Sequence, residues 1–260
     1  MKVCVYGSSG NVGSNLLTRL KDMHGIEIVN QYYGQRDFLD ADVYFLCTPP
    51  EVSDEYIKLI PKDKLIIDFS ILKREESFKE ESEWCYGQID SPNLKLKNRI
   101  SVAGCIASSI EVALMPIGDI KDIFITSFIG KSARRNQLAN NTEPKHVYTH
   151  PHITEIRNYL DRNDINFFPV VGEHRTGIMS VCQFKTGINI FKKYKEYFKD
   201  NDRVVISNKP YSIFDAIGTD KIFISIVQEG DFCSVTSILD NMERGSTTHG
   251  IMLMNKYLNK

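Results

Sequence analysis

Residues 2–20 restrict the fold more than any other stretch of this chain. Lys2-Val3-Cys4-Val5-Tyr6 is a short apolar run. Gly7-Ser8-Ser9-Gly10-Asn11-Val12-Gly13 follows without a break, and Leu16, Leu17 and Leu20 continue at helical spacing. Strand, glycine turn and helix in immediate succession form a unit whose backbone amides and helix N-terminus can hold a dinucleotide pyrophosphate. Gly7, Ser8, Ser9, Gly10, Asn11, Val12 and Gly13 are therefore candidate cofactor-binding residues. The spacing is G-x-x-G-x-x-G rather than the commoner G-x-G-x-x-G, and an ordinary tight turn between strand and helix is the plain alternative.

The following segments extend the pattern. Ile26-Glu27-Ile28-Val29 reads as a second strand. After it, where a carboxylate usually meets the ribose 2′-hydroxyl of NAD, stand Asn30, Gln31 and Tyr32, with Arg36 nearby. The missing acid and available arginine favour NADP over NAD, although Asp37 is also close. Ala41 to Cys47 is a further strand, stopped by Thr48-Pro49-Pro50 before a helix expected over Ser53 to Ile60. Leu65 to Ser70 is another buried strand. Thr48, Pro49 and Ser70 follow strand ends, so the rule for open parallel sheets turns them toward the cofactor. Lys73 to Ser82 reads as a solvated helix or loop.

Beyond residue 104 the texture changes. Val102-Ala103-Gly104-Cys105 runs into Ile106, Ile110, Ala113, Leu114 and Ile117, close to helical spacing. Cys105 then sits at or just before a helix N-terminus, where free amides and the helix dipole stabilise a thiolate. The alternative is a small buried cysteine on a core helix. Strand patterns recur at 123–129, 167–171, 177–184, 204–206, 222–227 and 232–237, with a last helix over Asp240 to Tyr257. The expected fold is α/β: a Rossmann-like parallel-sheet cofactor domain plus an α+β catalytic domain with a mixed or antiparallel sheet. The expected boundaries are 1–104, completed by the C-terminal helix 240–260, and 105–239.

Composition narrows the function. The chain has 260 residues with formal net charge -1, which gives no electrostatic reason to expect nucleic acid or anionic membrane. No apolar run approaches the ~20 residues of a membrane span, and the strand at the N-terminus leaves no room for a signal peptide. Its six cysteines show no metal-finger spacing. Most lie in apolar or small-residue runs, as reduced thiols do, and a cytoplasmic location is expected.

Two further stretches carry chemistry. Tyr148 to Ile156 contains His150, His152 and Glu155. His-x-His can ligate zinc, one His can act as acid or base while a carboxylate fixes its tautomer, and both can be plain surface residues. Without a neighbouring cysteine or third histidine at ligand spacing, no metal is expected. The other stretch, Asp240-Asn241-Met242-Glu243-Arg244-Gly245, could bring a helix N-terminus to the cofactor or be a plain N-cap.

In this order, the three stretches resemble N-acetyl-γ-glutamyl-phosphate reductases of the semialdehyde dehydrogenase superfamily. Gly7–Gly13 resembles that family's glycine loop. Asp42 to Pro49 resembles its strand-plus-proline element, and Ile67-Asp68-Phe69-Ser70 with Arg74 its Ile-Asp-Leu-Ser segment and following arginine. Tyr86 to Asp90 is similar to Tyr-Gly-Leu-Pro-Glu, and Val102 to Ile106 to Asn-Pro-Gly-Cys-Tyr. His150 to Ile156 is similar to His-Arg-His-x-x-Glu-Ile, and Asp240 to Gly245 to Asp-Asn-Leu-x-Lys-Gly. The departures are a shortened segment between Gly13 and Asp42, Ala103 and Ile106 flanking the cysteine, and Thr176 between Arg175 and Gly177.

The resemblance implies an NADP(H)-dependent reductase that converts N-acetylglutamyl 5-phosphate to the semialdehyde in arginine biosynthesis. Cys105 would be the nucleophile, His150 the acid/base and Glu155 its orienter. Arg74, Lys131, Ser108 and His152 would meet the acyl phosphate, and Asn241 the cofactor. A homo-oligomer, dimer or tetramer, is implied, with a small-molecule acyl phosphate and inorganic phosphate as the other partners. The same chemistry on a carrier-protein-linked acyl phosphate or on aspartyl phosphate, a cysteine hydrolase, and a non-catalytic cofactor sensor are the alternatives.

Overall fold

A computed structural model describes residues 1–29, 38–118, 120–133 and 150–259. The chain divides into two compact units, Met1–Gly104 with Ser246–Lys260, and Cys105–Gly245.

The first unit opens with β1 (Lys2–Tyr6), α1 (Asn11–Lys21) and a two-residue β2 (Glu27–Ile28). Then come β3 (Val43–Leu46), α2 (Pro50–Leu59), β4 (Leu65–Asp68), β5 (Cys85–Gly87) and β6 (Arg99–Val102). The six strands form one sheet in the order β2-β1-β3-β4-β6-β5, every pair parallel. Strands buried on both faces read as continuous apolar runs, which is why Val43–Leu46 and Leu65–Asp68 show no alternation. The order turns back on itself at β1, so the loops after β1 and β3 flank the sheet's switch point. Pro50 takes the first position of α2, where the missing N–H costs nothing. That helix begins three residues before the Ser53 expected from the pattern. Lys73 to Ser82 is less solvated than its composition implies. It holds a 3₁₀ turn at Glu76–Phe78, and Phe78 lies 4.5 Å, ring to ring, from Tyr86.

The second unit contains α3 (Cys105–Leu114), β7 (Ile123–Ile129), α4 (Pro151–Leu160), β8 (Ile165–Val171), β9 (Ile178–Lys185), α5 (Ile190–Tyr197), β10 (Val204–Ser207), β11 (Ile222–Glu229) and β12 (Phe232–Leu239). Its sheet runs β10-β11-β12-β9-β7-β8, with parallel pairs at the two edges and antiparallel pairs between them. One face carries the core: Ile123, Ile125, Cys182, Ile224 and Val235 pack with Ile110, Ala113, Ile156 and Tyr194 of the helices. Every residue of α3 after Cys105 is buried, as an all-round apolar helix requires. It packs against α4, β9 and β12.

The chain then returns to the first unit through α6 (Thr248–Leu258). The sequence pattern starts this helix at Asp240. In the structure Asp240–Gly245 group with the second unit, and a π-helical turn over Glu243–Thr247 precedes α6. The reason is local: Asp240 accepts from the backbone N–H of Gly218 and of Met242, both at 2.8 Å, and is thereby fixed inside the second unit.

Candidate active site

In the first unit the glycine loop is shaped by close approaches. Gly7 has φ +79°, and a Cβ there would meet the Cys47 carbonyl oxygen at 2.5 Å. On Gly13 a Cβ would lie 2.2 Å from the Gly7 carbonyl oxygen. Only glycine lets the α1 backbone sit on the turn and the turn sit on the loop after β3. Gly10 is the N-cap of α1 and offers that end no side chain of its own. Ser9, Gly10 and Asn11 are exposed, and Ser8 and Val12 half-buried. This is a cradle that a side chain would fill, ending at a helix N-terminus, and it fits a dinucleotide pyrophosphate.

Thr48 and Pro49 lie beside that cradle. Thr48 Oγ1 is 2.8 Å from Ser53 Oγ, and Pro49 is the N-cap of α2. Ser70 is buried and donates through its backbone N–H and hydroxyl to the two oxygens of Asp68, at 2.9 and 2.7 Å. Burial pushes the Asp68 carboxyl above its ordinary range, against the opposing pull of Ser70 and the Arg74 charge. Arg74 is clamped by backbone: Nε donates to the Val102 carbonyl at 3.0 Å and Nη2 to that of Phe69 at 3.1 Å. Arg36, like Asn30, Gln31, Tyr32 and Asp37, lies outside the described residues.

In the second unit Cys105 is the first residue of α3 and is half-buried. By contrast, burial drives the thiols of Cys47 and Cys182 far up and that of Cys4 to about 12, which leaves those three inert near neutral pH. Gly245, which the sequence offers only as the end of a motif, passes directly over Cys105: a Cβ there would lie 2.7 Å from the Cys105 Cβ. Ser108, one turn along α3, is buried.

His150 is the N-cap of α4, its Nδ1 accepting from the His152 backbone N–H at 3.3 Å. With Nδ1 accepting, the neutral ring carries its proton on Nε2. The edge contact with Phe167, 5.3 Å between centroids, fixes the ring plane. The sequence reading makes Glu155 the orienter of His150. Glu155 also meets His152, whose Nδ1 is 2.8 Å from the buried carboxylate. The helix repeat brings this pair together: His152 and Glu155 are three apart on α4, hence on one face. α3 and α4 pack together, so the elements that begin at Cys105 and just after His150 are neighbours.

Lys131 pairs with Glu173 at 2.5 Å and is partly exposed. Asn241 is buried and ties the second unit together, accepting from the Gly177 N–H at 2.7 Å and donating to Ser132 Oγ at 3.0 Å. The charged side chains of Glu111 and Arg244 are buried in the same unit; the sequence offers Arg244 within the Asp240–Gly245 stretch and does not signal Glu111. Among the described residues no group of three metal-ligating side chains occurs, and no helix is long and apolar enough to cross a membrane.

Known proteins resemble this chain in sequence and in fold. A family profile described as the semialdehyde dehydrogenase dimerisation domain matches residues 105–241. An N-acetyl-gamma-glutamyl-phosphate reductase of Bacteroides thetaiotaomicron is 25% identical, covering 96% of this chain and 86% of the relative. One of Karelsulcia muelleri is 24% identical over 90% of this chain and 80% of its own length. The crystal structure of aspartate semialdehyde dehydrogenase II from Vibrio cholerae superposes with TM-score 0.78 at 14% identity, covering 100% of this chain and 98% of that one.

Proposed function

The chain belongs to the semialdehyde dehydrogenase family, and from that premise we propose that it reduces N-acetylglutamyl 5-phosphate to N-acetylglutamate semialdehyde, using NADPH and a thioester on Cys105, within arginine biosynthesis. It is an enzyme of the phosphorylating semialdehyde dehydrogenase type, a class that uses a nicotinamide cofactor. The observation that carries the finer reading is the half-buried Cys105 at the first position of α3, beneath a glycine that leaves its side chain room.

The steps follow from these residues. Cys105 Sγ, as thiolate at a helix N-terminus, attacks the acyl carbon; the new C–S bond replaces the C–O bond to phosphate, which departs with that electron pair. When bound, the reduced nicotinamide supplies the hydride that the thioester carbon takes up. The oxygen that gains charge takes the proton of His150 Nε2–H and hands it back as the adduct collapses. Collapse of the adduct breaks the C–S bond, releases the aldehyde and returns the thiolate. In the opposite direction His150 removes the proton from that oxygen. Glu155 is assigned as the orienter of His150 and also bonds His152, which with Arg74, Lys131 and Ser108 is assigned to the acyl phosphate. Lys131 reaches phosphate by exchanging the Glu173 carboxylate for it. The Gly7–Gly13 cradle with Thr48, Pro49 and Ser70 is assigned to the dinucleotide, and the missing carboxylate after β2 favours NADP.

A homo-oligomer belongs to the same reading. The second unit's sheet leaves one face open, with Phe124, Phe168, Val227 and Phe232 exposed along it, and the matching profile is that of a dimerisation domain.

The test is NADP reduction by purified protein given N-acetylglutamate semialdehyde and phosphate, beside Cys105→Ser. The expected result is turnover that drops at least about a thousandfold in the variant. Turnover with aspartate semialdehyde alone would move the substrate and keep the chemistry. Absence of both NADP binding and turnover would sink the dehydrogenase reading.

A further inference from the structure

A cavity of about 610 Å³ opens in the first unit, lined by Lys62, Glu83, Leu96, Lys97, Arg99 and Tyr257 among others. Arg99 begins β6, Glu83 stands just before β5, and Lys62 lies between α2 and β4. The cavity therefore sits at the N-terminal edge of the parallel sheet, the edge opposite the glycine cradle, and nothing in the proposed reaction uses it.

Its lining is unbalanced in charge. Lys62 and Glu83 pair at 2.9 Å where both are exposed, and the Lys97 ammonium donates to the Ser82 carbonyl. Arg99 differs from both. The residue is 5% exposed, its guanidinium lies 5.9 Å from the Trp84 ring centroid, and its nearest carboxylate oxygen, on Glu83, is 3.9 Å from Nε. Among the described residues its side chain has no hydrogen-bond acceptor. A buried guanidinium is a planar fork of five donors that is costly to desolvate unless oxygen atoms meet it. Carboxylate and phosphate match that fork with two parallel bonds.

We propose that this cavity is a binding site for a small organic oxyanion, a dicarboxylate or a phosphate ester, held bidentately by Arg99. Lys62 and Lys97 supply the second positive charge at the rim, and Leu96 with Tyr257 gives an apolar wall for the carbon skeleton. The occupant does not compete with the dinucleotide, because the two sites lie at opposite edges of one sheet. The proposal is independent of whether Cys105 turns over an acyl phosphate.

The chain provides its own reporter. Trp84 is its single tryptophan, is buried and stacks on the arginine in question. The full-length protein is titrated with succinate and, separately, with inorganic phosphate at ionic strength held constant with chloride, and Trp84 emission is recorded. The expected result is a saturable change with at least one probe. It weakens at least tenfold in Arg99→Lys and severalfold in Lys62→Gln, and saturating NADP⁺ leaves it unaltered. The stronger probe distinguishes carboxylate from phosphate ligands. No saturable change with either probe overturns the proposal. So does an affinity equal in wild type and Lys62→Gln, a variant that alters only an exposed rim charge and decides the matter if Arg99→Lys fails to fold. Abolition by NADP⁺ overturns it too, since the anion would then be in the dinucleotide cradle.

Discussion

At the scale of single residues, Gly245 is the position where one atom has the largest effect. The Cβ of an alanine there would meet the Cys105 Cβ at 2.7 Å, and Leu239 Cδ1 at 3.1 Å. The Cys105 Cβ is bonded to the first Cα of α3 and cannot swing away as a long side chain would, so the helix start must shift. Misplacing a reacting atom by about 1 Å costs on the order of 100-fold in rate. Gly245→Ala is therefore expected to lower kcat by about that factor while NADP⁺ affinity, read by fluorescence, stays at the wild-type value. Unchanged kcat would show that the cysteine is not where the chemistry happens. The sequence announces Cys105 and His150 because their neighbours are local: a glycine before one, a proline after the other. It does not announce Gly245 over Cys105, a contact across 140 positions, nor that the carboxylate of Glu155 faces His152. Asn241 was legible as a polar residue near a helix start, but its tie between Gly177 and Ser132 depends on strand register that no local pattern records.

At the scale of elements, the glycine turn separates two kinds of requirement. A Cβ on Gly13 meets only backbone atoms, at 2.2, 2.8 and 2.9 Å, so the β1–α1 turn must open to admit it. On Gly10 the single neighbour is 3.4 Å away, at φ -76°. Gly13→Ala is expected to lose roughly 1–3 kcal/mol of stability, as overpacked sites do, and to weaken NADP⁺ binding at least tenfold. Gly10→Ala should remain within about 0.5 kcal/mol of wild type. Urea midpoints for the pair check this, and equal losses at both positions would mean that the turn is not packed as described. Elements of this kind were legible where the strand lies in an unbroken apolar run, as Val3–Tyr6 of β1, Val43–Leu46 of β3 and Leu65–Ile67 of β4 do. β6 was missed because Arg99 and Ser101 break its apolar run, and β5 because its three residues are flanked by charged and polar residues that mimic a loop. α5 hides for a different reason: Ile190 and Tyr194 are its buried contacts, and lysines fill half of the remaining positions. The late start of α6 reflects Asp240, whose carboxylate turns the chain with backbone N–H bonds before the helix can begin.

At the scale of the whole molecule, the mixed sheet of the second unit offers a face for the proposed assembly. Its odd and even positions fall on opposite faces, and the helices cover one. On the other, register aligns Phe124 with Gln183, Gln183 with Ser234 and Ser234 with Val227, and one step along it aligns Phe168 with Thr126 and Thr126 with Val181. Phe232, over whose ring Lys185 Nζ lies at 4.6 Å, extends the strip. Monomers seldom leave a contiguous apolar patch of more than a few hundred Å² to water, and a stable pair of copies buries at least about 1,200 Å². The strand patterns foretold a half-covered sheet but not its order, because which strands become neighbours is decided by long-range pairing. Once that order is known, the exposed phenylalanines become one surface rather than scattered exceptions. The protein is expected to sediment as a dimer or tetramer at micromolar concentration, with an unfolding midpoint that rises with concentration. Phe124→Asp combined with Phe232→Asp places two charges on the strip without touching either core face. That variant should sediment as a monomer, lose the concentration dependence of its midpoint, and bind NADP⁺ through the first unit as before. A wild-type protein that sediments as a monomer across the concentration range would remove the sheet face from the assembly argument, and an oligomer that survives both substitutions would place the interface elsewhere on the chain.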